Sequence, residues 1–323
     1  MGQRLLPYAG YLVVTAGLCA YGLWADNYYY TQLLTFIGIH TLLAVGLNMV
    51  MGYAGQISLG HAAFFGLGAY TTGALTVHLS WPPLAALPAA LAVPALVAFI
   101  VGMPTLKLHG YYLGMGTLGF GMIIHILFRE WTALTGGPNG LVGIPVLSAG
   151  PVSLAGGKTY LFLVWGAVLL SFGMCSRIVH SRVGRALSAI HFSEQAAAAV
   201  GVDTMRAKLE VFVFSAALAA LAGFLYAHMV TFISPSSFSF LVSIRIVAMV
   251  VIGGMASIWG SLFGAGLLTL LPEWLHVFSE YEVMIYGLVL VVVMIFFPQG
   301  LTRGVLDAYE RARRRKTGAG PSA

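Results

Sequence analysis

The chain has 323 residues, 59% of them hydrophobic and 8% charged, with a mean hydropathy of +0.90. Soluble domains carry roughly a quarter charged residues, so this chain cannot cover a water-facing surface, and a soluble enzyme or binding module is excluded. The apolar runs are continuous rather than alternating, which excludes a β-barrel and defines an all-α, polytopic helical membrane protein.

Arg4 precedes the first apolar run, near 5–24, and no small-x-small cleavage site follows, so this run reads as a retained span. At about 20 residues per span, further spans fall near 31–50, 62–79, 84–103, 111–128, 159–178, 209–231, 242–258, 260–275 and 283–298. The range is eight to ten, because Gly253, Gly254 and Gly260 interrupt two of the last three and suit half-helices that turn back. The net charge of +6 is concentrated in residues 177–208 and in the tail from Arg303 to Lys316. Basic clusters of this kind mark cytoplasmic span ends and anionic headgroups rather than nucleic acid. Ten spans with Arg4 inside satisfy both clusters, put Lys107 and His109 inside, and put the weakly charged 129–158 loop outside. The expected organisation is one transmembrane domain over 1–302, with a cytoplasmic loop at 179–208, and a basic cytoplasmic tail over 303–323.

Between the second and third spans lies LNMVMGYAGQISLGHAAFFGLGAYTTGAL, residues 47–75. Asn48, Gln56, Ser58 and His61 sit there among closely spaced glycines. Small residues let helix backbones approach, and uncharged polar groups beside glycines suit a broken helix lining a polar path. Tight packing plus a short loop accounts for the same pattern. Thr117, in the fifth span, is a weaker candidate for the lining. Gly254, Ser257, Gly260, Gly264 and Gly266 echo the stretch loosely.

In the 177–208 loop, Ser193 is placed to cap a short helix, Glu194 and Gln195 suit its first turn, and Ala196 to Ala199 are strong helix formers. Gly201 supplies the stop, and Asp203 is placed to cap the next helix. About two turns of helix on a cytoplasmic loop are either a local accident or a docking peg for a soluble protein.

Other motifs carry no chemistry. Gly114, Gly116 and Gly119 match GxGxxG but lie inside one apolar span, without the strand that dinucleotide binding needs. Gly157-Lys158-Thr159 resembles the end of a P-loop, yet the required glycine five positions earlier is Val152. No ATP site is visible. The nine histidines form no HxxxH or HExxH pair, and Cys19 and Cys175 are the only cysteines, so no metal site or disulfide framework is expected. Arg245, Glu273 and Glu282 fall at or near span ends, and the lack of a mid-span acid weighs against an ion-coupled carrier. Ser58 and His61 have no acid nearby to orient the imidazole, which weighs against a hydrolase, and no catalytic residue is expected.

Residues 47–69, PTLKLHGYYLGMGTLGFG at 104–121, TGGPNG at 135–140, VGRALSAIHFSEQAAAAVGVD at 183–203, FISPSSFSF at 232–240 and VVIGGMASIWGSLFGAGLL at 250–268 occur together and in order. This set resembles the LivM-type permease subunits of branched-chain amino acid ABC importers, over about residues 30–298. The resemblance implies a transport subunit of the bacterial inner membrane with both termini cytoplasmic. It implies a homologous LivH-type permease partner, two cytoplasmic ATPases of the LivG and LivF type that hold ATP and Mg, and a periplasmic binding protein. No cofactor is implied in this chain. Similar permeases serve urea, short-chain amides and aromatic acids, so the substrate stays open among these. The family's coupling loop reads E-A-A-x-x-x-G. Gly201 fits its final glycine and Ala196 and Ala197 its alanines, but Gln195 stands where Glu is expected and Glu194 is displaced by one.

Overall fold

A computed structural model of the chain describes residues 27–149, 152–154 and 157–275, together with Thr15, Gly17, Tyr21, Met284, Gly287, Leu288 and Val291. Apart from those single positions, the spans expected near 5–24 and 283–298 lie outside the described residues, as do Cys19, Glu282 and the tail over 303–323.

Helix α1, Tyr28–Asn48, starts where the Asn27 side chain accepts from the Tyr29 N–H at 3.0 Å. Its mid-span threonines close on themselves: the Thr35 and Thr41 hydroxyls donate to the carbonyls of Thr31 and Ile37, each at 2.7 Å. A hydroxyl bonded to its own helix crosses an apolar layer without an unmade hydrogen bond. α1 widens into a π-helical turn over Met49–Tyr53, and the chain reverses through 54–60 before α2, His61–Gly73, begins. The helices expected on either side of the glycine-rich stretch are present, joined by the 54–60 loop, and glycines such as Gly52 and Gly60 pack closely there. α3 spans Pro83–Thr105 and α4 spans Tyr111–Glu130. A short helix α5, Thr132–Thr135, then leads to the strands β1, Leu141–Val142, β2, Ser148–Ala149, and β3, Val152–Ser153. α6, Gly157–Val179, is followed by α7, Arg182–Phe192, α8, Glu194–Ala199, and α9, Thr204–Val230. Strand β4, Phe232–Ile233, and helices α10, Phe240–Gly253, and α11, Ile258–Leu275, complete the described chain.

Among the described residues, five helices are long and apolar enough to cross a membrane: α1 with its π turn, α3, α4, α6 and α9. α10 and α11 are shorter. They form a hairpin in which Gly253 faces Gly260 and Gly264 faces Met249, as expected for half-helices that turn back. Arg245 lies within α10 and not at its end, because α10 is only 14 residues long and begins at Phe240. GxGxxG lies wholly inside α4, where Gly114 packs on Ile57.

The core is built on two helices. α9 packs on α1, α2 and α3, and α1 also packs on α6, α10 and α11. α3 and α4 turn Leu96, Ile100, Met122 and Ile123 outward, a surface suited to lipid. The two ends of the bundle differ. One carries α7, α8 and the 106–110 turn, bringing Lys107 and His109 beside the basic segment as the charge pattern expects. The other carries the 131–154 segment, where β1 pairs antiparallel with β4, and Leu141 lies opposite Ile233. This local order was not read from the sequence, since strands of two residues have no periodicity to detect.

α2 and α9 cross at backbone distance. A Cβ on Gly68 would overlap the Ala220 carbonyl oxygen, and one on Gly223 would overlap that of Phe65. Gly68→Ala or Gly223→Ala therefore costs about 1–3 kcal/mol of stability, read as a lower aggregation temperature in detergent. Gly119→Ala, where a Cβ meets nothing within 4 Å, leaves that temperature unchanged.

Candidate translocation path and coupling loop

Breaking a helix inside a membrane protein exposes backbone groups that need partners from elsewhere in the protein. Around 47–61 these come from other helices. The Asn48 amide donates to the Ser257 carbonyl and to the Ser261 Oγ, both at 2.8 Å, and its Oδ1 accepts from the Ala256 N–H at 2.9 Å. Thr117 Oγ1 accepts from the Leu59 N–H at 3.0 Å while donating back into α4. Ser243 Oγ accepts from the Ala62 N–H at 3.1 Å, and Ser215 Oγ donates to the Gly46 carbonyl at 2.7 Å. Asn48 thus joins the two glycine-rich stretches, tying the end of α1 to the α10–α11 turn.

The remaining sequence candidates differ in kind. Gln56, Ser58 and His61 are all buried, yet both amide atoms of Gln56, the Ser58 Oγ and the His61 Nε2 have no hydrogen-bond partner among the described residues. Buried polar side chains are normally paired, because an unmade bond costs on the order of 1–3 kcal/mol. Three such side chains within six residues form a polar locus that no described residue satisfies. Of the five lining candidates, Asn48 and Thr117 spend their hydrogen bonds on holding the loop, while Gln56, Ser58 and His61 keep theirs to offer. Among the described residues no three His, Cys, Asp or Glu side chains gather where they could hold a metal ion.

The coupling loop contains two helices, α7 and α8, where about two turns were expected. Residues 182–192 look merely polar in sequence. The Ser181 side chain caps them, and Gly184, Leu187 and Ile190 supply the buried stripe. α8 follows the expected pattern. Ser193 caps it by accepting from the Ala196 N–H at 3.3 Å, Gly201 turns with φ +84°, and Asp203 caps α9 by accepting from the Arg206 N–H at 3.0 Å. Ala197 is 2% exposed and seats α8 on the bundle, while Gln195 and Ala196 face outward.

Glu194 is held within the chain. Its carboxylate pairs with the Lys208 ammonium, whose side chain is 5% exposed, and lies 3.4 Å from the His109 Nε2. It ties α8 to the first turns of α9 and to the 106–110 turn. Beside the outward-facing Gln195 and Ala196, two large apolar side chains flank α8: Phe192, the last residue of α7, and Val200 are 89% and 78% exposed. Sequence reasoning passed over both, along with Lys208 and His109. A hydrophobic residue before an N-cap commonly folds back on the fourth helical residue. Here that residue is Ala197, too small to cover a phenyl ring. α7 also reaches the polar locus: a Cβ on Gly55 would stand 2.9 Å from the His191 Nδ1, so His191 packs directly on the 54–60 loop.

These features define a polytopic helical membrane protein with buried polar side chains at 56–61 and a short capped helix at one end. Residues 29–296 match the family described as the permease component of branched-chain amino acid transport systems, and the chain belongs to that family. It is 36% identical over 290 residues to the high-affinity branched-chain amino acid transport system permease proteins LivM of Salmonella typhimurium and Escherichia coli, covering 83% of this chain and 68% of each relative. It is 25% identical over 285 residues to the LivH permease protein of Salmonella typhimurium, covering 81% of this chain and 90% of that protein. No solved structure matches it.

Glu194→Ala leaves the Lys208 ammonium buried and alone, at a cost on the order of 2 kcal/mol to the docking of α8. Hydrogen exchange of the α8 amides then speeds up by at least about tenfold. The double variant Glu194→Ala, Lys208→Leu removes both charges and restores slow exchange.

Proposed function

We propose that this chain is a transmembrane permease subunit of an ATP-driven importer that carries branched-chain amino acids (leucine, isoleucine and valine) from periplasm to cytoplasm. It works in the bacterial inner membrane beside a homologous LivH-type permease. Cytoplasmic LivG- and LivF-type ATPases supply ATP and Mg, and a periplasmic binding protein delivers the substrate. Both termini and the α7–α8 end face the cytoplasm, on the charge distribution. The family match supports the transport role, and the observation that carries the mechanism is the contact of His191 with Gly55.

ATP binding draws the two ATPases together and displaces α8, with Phe192 and Val200 seated in an ATPase groove and Gln195 and Ala196 on the contacting face. Apolar side chains this exposed lose their water-facing area on docking. Because Glu194 is already paired with Lys208, it keeps the peg in one orientation and leaves the grip to the apolar flank. α7 moves with α8 and presses on the 54–60 loop. That loop carries Gln56, Ser58 and His61, whose neutral groups offer transient hydrogen bonds to a passing zwitterion. Gly201, at φ +84°, is the turn that lets α8 meet α9, and a proline there would break both.

Reconstituted with its partners, the chain accumulates leucine only with ATP. Phe192→Glu lowers that uptake by about tenfold or more while the permease still folds. Leucine uptake by the chain alone under an ion gradient would replace the importer reading with a secondary carrier. Uptake of urea, short-chain amides or aromatic acids in place of leucine would replace the substrate. Unchanged uptake by Phe192→Glu would remove the docking role of this flank.

A further inference from the structure

At the end of the bundle away from α7 and α8, the helices α1, α6 and α9 surround a cavity of about 560 Å³. That volume lies within the range of roughly 300–1,000 Å³ common for small-molecule sites. His228, near the end of α9, lines it and is 2% exposed. Its Nδ1 stands 2.7 Å from the Pro145 carbonyl oxygen. A carbonyl only accepts, so Nδ1 carries the hydrogen, and in the neutral ring Nε2 is left as a lone-pair acceptor. That Nε2 is buried and has no hydrogen-bond partner among the described residues. The Phe224 ring, edge-on with centroids 4.7 Å apart, helps fix the imidazole plane. A buried acceptor oriented by two neighbours and left unpaired is the element that a ligand N–H would complete.

The rest of the lining narrows the ligand. With the imidazole neutral, no lining side chain among the described residues carries a formal charge, so the cavity is matched to a molecule of zero net charge. Donors are nevertheless present. The Tyr28 hydroxyl accepts from the Gln32 amide at 2.8 Å and keeps its own hydrogen to give, and that amide keeps a second N–H. Phe36 and Met229 supply apolar wall. We propose that this cavity binds a net-neutral α-amino acid. The His228 Nε2 accepts from its ammonium group, Tyr28 and Gln32 face its carboxylate, and its aliphatic side chain lies on Phe36 and Met229. This rests on the permease reading above and adds to it a docking station at the end of the path opposite the peg, separate from Gln56, Ser58 and His61.

The test is binding of radiolabelled leucine to the full chain in lipid nanodiscs, without binding protein. His228→Leu weakens binding by about tenfold or more, and His228→Gln, which restores an acceptor, recovers most of it. Val146→Trp fills the cavity from a rim position that is 44% exposed, and so blocks binding without disturbing the core. Lysine and glutamate bind at least about tenfold more weakly than leucine, since each would bring a net charge into a neutral site. Equal leucine binding by wild type and all three variants, or none by wild type, overturns the cavity as an amino-acid site. A response of urea or benzoate binding, but not leucine binding, to His228→Leu overturns the amino-acid assignment. ATP-driven leucine import by the assembled wild-type complex is measured alongside. Its presence with failed binding removes the cavity and leaves the importer standing, and its absence removes the importer reading itself.

Discussion

Everything in this fold answers to one constraint: inside an apolar layer, a backbone N–H or C=O released by a helix break must be met by another part of the protein. The chain breaks helices at 49–60 and at 254–257, and each break is met by a side chain from a distant helix. Asn48 serves Ala256 and Ser257, Thr117 serves Leu59, and Ser243 serves Ala62. Those bonds hold α1, α2, α4, α10 and α11 in one arrangement. They also sort the polar residues of the glycine-rich stretch into those consumed in holding the break and those left over. Gln56, Ser58 and His61 are left over, and they sit at the break itself.

The same sorting clarifies the peg. A glutamate near the start of a coupling segment invites an intermolecular role, and its displacement by one position makes that role look impaired. Paired with buried Lys208 and set beside His109, Glu194 acts inside the chain, as a strut between α8, α9 and the 106–110 turn. The side chains left exposed on and beside α8 are then Gln195, Ala196, Phe192 and Val200. His191 of α7 packs on Gly55, in the loop that carries the unpaired groups.

Much of this was legible in the sequence. Continuous apolar runs and the caps Ser193, Gly201 and Asp203 are local signals, and the described helices follow them. The interruption of the last spans by Gly253 and Gly254 likewise appears as the hairpin of α10 and α11. The division of the lining candidates was not legible, since Asn48 and Gln56 are chemically alike and only their neighbours separate them. Nor was the cavity beside His228, whose lining comes from α1, from α6, from α9 and from the loop at Val146. α7 escaped notice because its buried stripe is only three residues among basic and small ones.

The sequence by itself determined that this is a helical membrane permease, where most of its described long helices run, and that the loop around 177–208 is basic and carries a capped short helix. Each of these follows from composition and from interactions a few residues apart. Tertiary structure alone decided which polar groups are paired among the described residues and which are not. Glu194 and Lys208 are 14 positions apart, Asn48 and Ser257 are 209 apart, and Pro145 and His228 are 83 apart. A hydrogen bond across such separations is set by how the helices pack, and a side chain's availability is what remains after that packing is complete.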